Sequence, residues 1–179
     1  EADVDDTVNF QVYGNMEPQK AATEAVRETE GQILCQDGEA VEAYYFSTSA
    51  GVTSTDELWG SDEAAPYLRS VPCKFDEEEP WSSWIVELPW KMLEDRIREK
   101  GEGTVLRSVT VTRRSESGAA TALEAVSDKD SCIIENEYEI RKFLAPVNCM
   151  ITEKDGTETA GGSLLPSAYF ELERTQNGN

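Results

Sequence analysis

Histidine is absent from the 179 residues, which removes Ser-His-Asp and Cys-His nucleophile systems, the zincin helix and mixed Cys/His zinc sites. The four cysteines, Cys35, Cys73, Cys132 and Cys149, are widely spaced and form no Cys-x-x-Cys pair. A four-cysteine zinc site therefore has no supporting pattern, while buried thiols and disulfides are both open readings. Basic charge is scarce: 16 Lys and Arg against 36 Asp and Glu leave a formal net charge of -20. That field repels phosphate backbones and anionic lipid heads, so nucleic acid is not an expected partner. No apolar run approaches the ~18 residues a membrane helix needs, and no membrane insertion is expected of this chain. Gly-x-Ser-x-Gly, the Walker loop and the dinucleotide fingerprint are all missing, so no cofactor and no metal is expected. The opening EADVDDT is acidic where a secretory signal would be basic and then apolar, so such a signal is not expected within the chain.

A chain of this length favours one domain with a real hydrophobic core. Residues 18 to 30, PQKAATEAVRETE, predict a short helix with Ala21, Ala22, Ala25 and Val26 on one stripe, packed closely on something, and Gly31 stopping it. The Asp37-Gly38 pair predicts a tight hairpin turn between strands at about 31 to 36 and 40 to 48. In the second of these the period of two sends Tyr45, Ser47 and Ser49 to one face and Tyr44, Phe46 and Thr48 to the other.

Beyond Gly60 an acid-, Pro- and Trp-rich stretch reads as an irregular excursion, and Asp76 to Glu79 within it as a solvated loop. Trp90 to about Lys100 predicts a helix with Trp90, Leu93 and Ile97 on one side and Gly101 ending it. TVLRSVTVTRR and AATALEAVS, joined at Ser117-Gly118, predict a second hairpin. CIIENEYEIRKFLAP predicts a strand end and then a helix from about Glu137 to Leu144. Asp155-Gly156 marks another turn, and LPSAYFELER reads as a closing strand. Hairpins with interspersed helices, rather than alternating βαβα, predict an α+β fold of mostly antiparallel sheet with a few short helices packed on it.

The ordered series VNFQVYGN, AATEAVRETEGQILCQDGEAVEAYYFSTSAGVTSTDELWG, PYLRSV, EYEIRKFL and LLPSAYFELE resembles the stage II sporulation protein D family, also called SpoIID/LytB. The resemblance implies one family domain over residues 1–174, with a possible subdomain excursion at about 61–150 and a frayed tail at 175–179. It implies an extracellular or cell-envelope protein that cleaves peptidoglycan glycan strands already stripped of stem peptides, as a lytic transglycosylase. The alternative it implies is a non-catalytic wall-binding or amidase-enhancer module, with a wall amidase as partner. The family's catalytic glutamate lies in a Glu-Met-Pro stretch ahead of an Ala-rich Arg-Thr-Tyr helix. Neither motif occurs here, so the proton donor is expected outside this chain and no residue in it is assigned as catalytic.

For substrate binding the resemblance implies Tyr45, Ser47, Ser49, Thr53, Asp56 and Glu57. Hydroxyls donate to and accept from sugar hydroxyls and N-acetyl groups, and an aromatic ring covers the apolar face of a pyranose. The same hydroxyls on a strand could equally satisfy one another or water. Asp56 and Glu57 fit either substrate orientation or a solvated turn. Arg69 and Arg141 could meet a carboxylate, although pairing within so acidic a chain is the stronger expectation. Trp81, Trp84 and Trp90 suit a carbohydrate surface or the anchoring of core and loops.

Overall fold

Alanines at 21, 22 and 25 favour helix without side-chain entropy cost, and in the computed structural model, which describes residues 17–54 and 65–175, α1 spans Lys20–Glu28. Thr29 N donates to Ala25 O at its end, and Gly31 follows at φ 74°. The described residues divide into two compact units between Tyr44 and Tyr45. In the first, α1 is followed by β1 (Cys35–Gln36) and β2 (Glu39–Ala40), paired antiparallel as Cys35 with Ala40 and Gln36 with Glu39. Asp37 (φ 52°) and Gly38 (φ 87°) make the tight turn the sequence predicts. The helix face departs from expectation: Ala21, Ala22 and Ala25 are exposed and Val26 is 69% exposed. Local propensity and backbone hydrogen bonds, not a packed stripe, are what hold α1 among the described residues.

The second unit carries the core. Its elements are β3 (Trp84–Val86), α2 (Trp90–Glu99), β4 (Leu106–Arg114), β5 (Ala120–Ser127), β6 (Ser131–Glu135), α3 (Glu137–Phe143), β7 (Met150–Glu153) and β8 (Glu158–Ala160). Two antiparallel sheets result, ordered β3-β7-β8 and β4-β5-β6. The chain is thus an α+β fold built on antiparallel sheets. β5 is the central strand of its sheet, and Ala120, Leu123 and Ala125 on it are fully buried. They join Leu93 and Ile97 of α2, Ile140 and Phe143 of α3, and Leu165 in one cluster. The helix predicted at 90–100 has the predicted phase: Leu93 and Ile97 point inward, and Trp90 packs against the cluster while its Nε1 donates to Leu106 O at 3.2 Å.

Polar side chains complete the joints between elements. Arg96 of α2 donates to Phe143 O at 2.5 Å and Ala145 O at 2.6 Å, satisfying carbonyls at the end of α3 that have no helical partner. Asp128 accepts from Thr104 N, Thr104 Oγ1 and Val105 N at 2.7 to 2.9 Å. These donors favour the ionised carboxylate and hold its pKa well below the usual carboxylate range. Gly103 beside it sits at φ 137°, where a Cβ would come within 2.3 Å of Ser127 Oγ; any side chain there collides with the strand end.

Three further expectations are corrected. The strand predicted over 40–48 is only Glu39–Ala40 in β2, and among the described residues from 41 to 54 only Val52 pairs, in an isolated bridge with Pro72. Tyr44, Tyr45 and Phe46 are 54%, 74% and 53% exposed, so no buried face exists to fix a strand register there. The closing strand predicted for LPSAYFELER has no ladder partner among the described residues: Leu165 N donates to Arg141 O, Ala168 O accepts from Ala120 N, and Pro166 has no N–H to give. Asp76 is not merely solvated: it accepts from Ser49 N at 2.8 Å. One element was also missed, β3, which starts at Trp84, the last residue of the Trp-rich excursion, and pairs with β7.

Candidate functional site

Residues 47–50 are held in place by the turn that follows the 65–73 segment. Asp76 Oδ2 accepts from Ser49 N at 2.8 Å and from Cys73 Sγ at 3.6 Å, while Ser49 Oγ donates to Cys73 O at 3.4 Å. Cys73 N donates to Gly51 O at 2.9 Å, and Thr53 N to Val71 O at 2.9 Å. The backbone N–H of Ser49 is the largest influence lowering the Asp76 pKa, followed by the Ser49 side chain, and the Cys73 thiol adds to it. Two loops that lack a common sheet are thereby clamped by one carboxylate.

The clamped segment forms one wall of a cavity of about 360 Å³ in the second unit. Ser47, Thr48, Ser49 and Ala50 stand on this side. Trp81 and Ser82 from the short 3-10 turn Pro80–Ser82 also line it, with Trp84 opening β3. Ile151 of β7 and Ala160 of β8 add apolar surface, and Ser167 and Tyr169 close a third side. Arg141 fixes that third side. Its Nε donates to Leu165 O at 2.7 Å and its second terminal nitrogen to Pro166 O at 3.3 Å, while Glu137 pairs with it at 2.6 Å. This is the intramolecular use expected of Arg141; Arg69 makes no ion pair with a described residue.

A relay of hydroxyls backs the cavity. Tyr169 OH lies 3.3 Å from Ser54 Oγ and 2.9 Å from Ser117 Oγ, which lies 2.9 Å from Ser115 Oγ. Ser115 Oγ accepts from Ala119 N at the β4–β5 turn. The phenol ring therefore faces the cavity on a support that spans three segments. Among the described residues no charged side chain lines the space, so what it offers chemically is hydroxyls and two indole rings. That combination suits a neutral, hydroxyl-bearing ligand with an apolar face.

Of the residues singled out from sequence, Ser47 and Ser49 line the cavity, Ser47 exposed and Ser49 buried with its amide bound to Asp76. Tyr45 is 74% exposed and lies outside the lining. Thr53 also lies outside it: its Oγ1 accepts from Val71 N at 2.9 Å and its carbonyl from Ser70 Oγ at 2.8 Å. Asp56 and Glu57 fall outside the described residues. Trp81 and Trp84 line the cavity, and Trp84 also packs on the core, whereas Trp90 is a core residue that carries Arg174 4.0 Å above its ring. Sequence reasoning missed Thr48, Ser82, Ser167 and Tyr169; the last two sit in the LLPSAYFELE stretch, whose strand-like pattern masked them. The buried carboxylate Glu153 accepts from Thr159 Oγ1 at 2.5 Å and does not line the cavity. Among the described residues no group of three or more Cys, Asp or Glu side chains is placed to hold a metal ion, and all four thiols are unpaired.

No protein-family profile matches the chain, and no solved structure matches it. Curated relatives do. Stage II sporulation protein D of Bacillus subtilis is 38% identical over 89 residues, 43% of this chain and 26% of the relative. The amidase enhancer of Bacillus subtilis is 33% identical over 94 residues, 52% of this chain and 13% of the relative. An uncharacterized protein of Brachyspira hyodysenteriae is 26% identical over 180 residues, 98% of this chain and 42% of the relative. The resemblance carried by the chain's motifs is thus matched by SpoIID-type relatives at 33% to 38% identity over about half of the chain. The chain itself spans less than half of the length of each of these relatives.

Proposed function

We propose that this chain is the glycan-receiving part of a cell-wall protein of the cell envelope, acting on peptidoglycan glycan strands freed of stem peptides. The observation that carries the reading is the uncharged cavity lined by Ser47, Thr48, Ser82 and Ser167 and flanked by the Trp81 and Trp84 indoles. Pyranose rings present hydroxyls at their edges and C–H bonds on their faces, which is the complement of such a lining. Ser47 offers a direct hydrogen bond to sugar; Ser49 sets the wall by its bond to Asp76. Tyr45, Thr53, Asp56 and Glu57 belong to the same proposed binding region on the strength of the family resemblance. Relatives named stage II sporulation protein D and amidase enhancer support a wall-directed role.

In the catalytic form of this reading, a lytic transglycosylase cleaves the glycosidic bond with one carboxyl group acting first as acid and then as base, its pKa raised by burial. No carboxylate lines the cavity among the described residues. On this reading the residues named here bind and orient the strand, and it is the family resemblance that puts the acid outside this chain. The same observation favours a second reading, an amidase-enhancer type of module that holds wall glycan beside an amidase without chemistry of its own. The two separate in one experiment with the full-length protein and purified, peptide-free glycan strands. Release of anhydro-muramyl ends supports the transglycosylase; retention of the strands without release supports the module. Neither retention nor release sinks both.

A further inference from the structure

A second, larger cavity of about 550 Å³ lies along β3 and shares Ser82, Trp84 and Tyr169 with the first. One wall is the continuous run Ser82–Leu88, and the facing wall is the continuous run Tyr169–Thr175. The space is a trough rimmed by these two runs. Leu93, Val109, Leu144 and Leu165 form its apolar floor. Among the described residues β3 is the edge of its sheet, bonded only to β7, and β4 is an edge bonded only to β5.

The facing wall runs along β4 without joining it. Arg114 reaches Phe170 O at 2.8 Å and Arg174 reaches Arg107 O at 3.1 Å, so residues 170–174 are tethered at both ends by side chains. Between the tethers, among the described residues, the backbone groups of Glu171, Leu172 and Glu173 make no hydrogen bond. This is the segment whose sequence reads as a strand, and it lines the same cavity as the β3 edge. Unpaired strand edges are templates for an added strand.

We propose that this trough receives a guest β-strand from a partner protein: one extended segment, apolar at alternate residues and basic at the others. Backbone pairing with β3 on one side and with 171–173 on the other is the chemistry of strand addition. The alternate apolar side chains would enter toward Leu93, Val109 and Leu144. Charge sets the remaining residues. Glu87 and Glu173 are exposed rim carboxylates with no ion pair among the described residues, while Arg174 is engaged with Trp90 and Arg107 O. Lysine or arginine on the guest compensates them. The occupied trough would extend the β3-β7-β8 sheet by one strand, and Ser82, Trp84 and Tyr169 line both this trough and the smaller cavity.

The test uses an acetylated seven-residue peptide alternating valine with lysine and threonine, titrated into the full chain while backbone amide shifts are recorded. The expected result is saturable shifts at residues 84–88 and 171–174, with those amides protected from exchange. A central proline removes a backbone donor and is expected to weaken binding by about tenfold or more, as is replacing both lysines by glutamate. The surface double variant Glu87→Lys with Glu173→Lys is expected to invert the preference between the lysine and glutamate peptides. Shifts confined elsewhere, proline-peptide binding equal to the parent, or an unchanged charge preference in the double variant would each overturn the proposal. So would concentration-dependent dimerisation of the chain that protects the same amides without peptide, because the occupant would then be a second copy.

Discussion

Two turns with the same Asp-Gly signature have different fates. At Asp37-Gly38 the hairpin stops after two residue pairs, and no residue from 17 to 44 is buried. At Asp155-Gly156 the hairpin of β7 and β8 continues onto β3, Ile151 is 3% exposed, and Asp155 Oδ1 accepts from Thr157 N at 2.9 Å. The turn chemistry is equally good in both. What differs is whether a third strand and an apolar surface are present, since a two-stranded hairpin alone is marginal in water. A turn signal thus sets the reversal of the chain, and burial sets how far pairing propagates.

The comparison can be broken most forcefully in the core of the second unit. Leu123→Ala on β5, a fully buried side chain, is expected to destabilise the second unit by about 2–5 kcal/mol, read as a lowered urea midpoint by tryptophan fluorescence. A loss under ~1 kcal/mol would mean that the cluster around β5 does not act as the core. Ile151→Ala should fall in the same range and should loosen the β7–β8 hairpin, making it resemble the isolated one.

The clamp at Asp76 gives an intermediate effect. Asp76→Ala leaves the Ser49 amide unpaired, so amide exchange in residues 47–51 should accelerate and oligosaccharide affinity should fall while the urea midpoint moves little. The carboxyl pKa is depressed below 3.8 in the folded chain. Its contribution is therefore fully present above that value and is lost as pH falls through the lower folded value. A carboxyl carbon titration with its midpoint at or above 3.8 would contradict the clamp. The smallest effect is expected in the first unit: Ile33 is 73% exposed, and Ile33→Ala should shift stability by no more than ~0.5 kcal/mol.

These contrasts also mark what was legible in the sequence. The helix with Trp90, Leu93 and Ile97 in phase, the β4–β5 hairpin and the helix after Asn136 all carry periodicity, turns or caps within a few neighbouring residues, and all stand where the sequence places them. Asn136 caps α3 by accepting from Glu139 N at 2.9 Å, a local signal. The non-local features were not legible. Ser49 and Asp76 are 27 residues apart, and nothing in either loop announces the bond. The alternation at 43–49 put Ser47 and Ser49 on one face and Thr48 on the other. The chain there is irregular, and all three line one cavity. Residues 169–173 show the converse: a strand-like pattern without a partner strand in the described chain. The three-residue β3 is too short for any period to reveal it.

The central claim is that the hydroxyl and indole cavity takes up sugar. It is tested most directly by titrating peptide-free glycan fragments into the full chain while following amide and indole N–H shifts, alongside the surface variants Ser47→Ala and Trp81→Ala. The account predicts saturable shifts at residues 47–50 and at the Trp81 and Trp84 indoles, with affinity reduced about fivefold or more by Trp81→Ala, given ~1 kcal/mol for a lost ring contact. Glycan binding that leaves those signals unmoved, or that is indifferent to both variants, would contradict it.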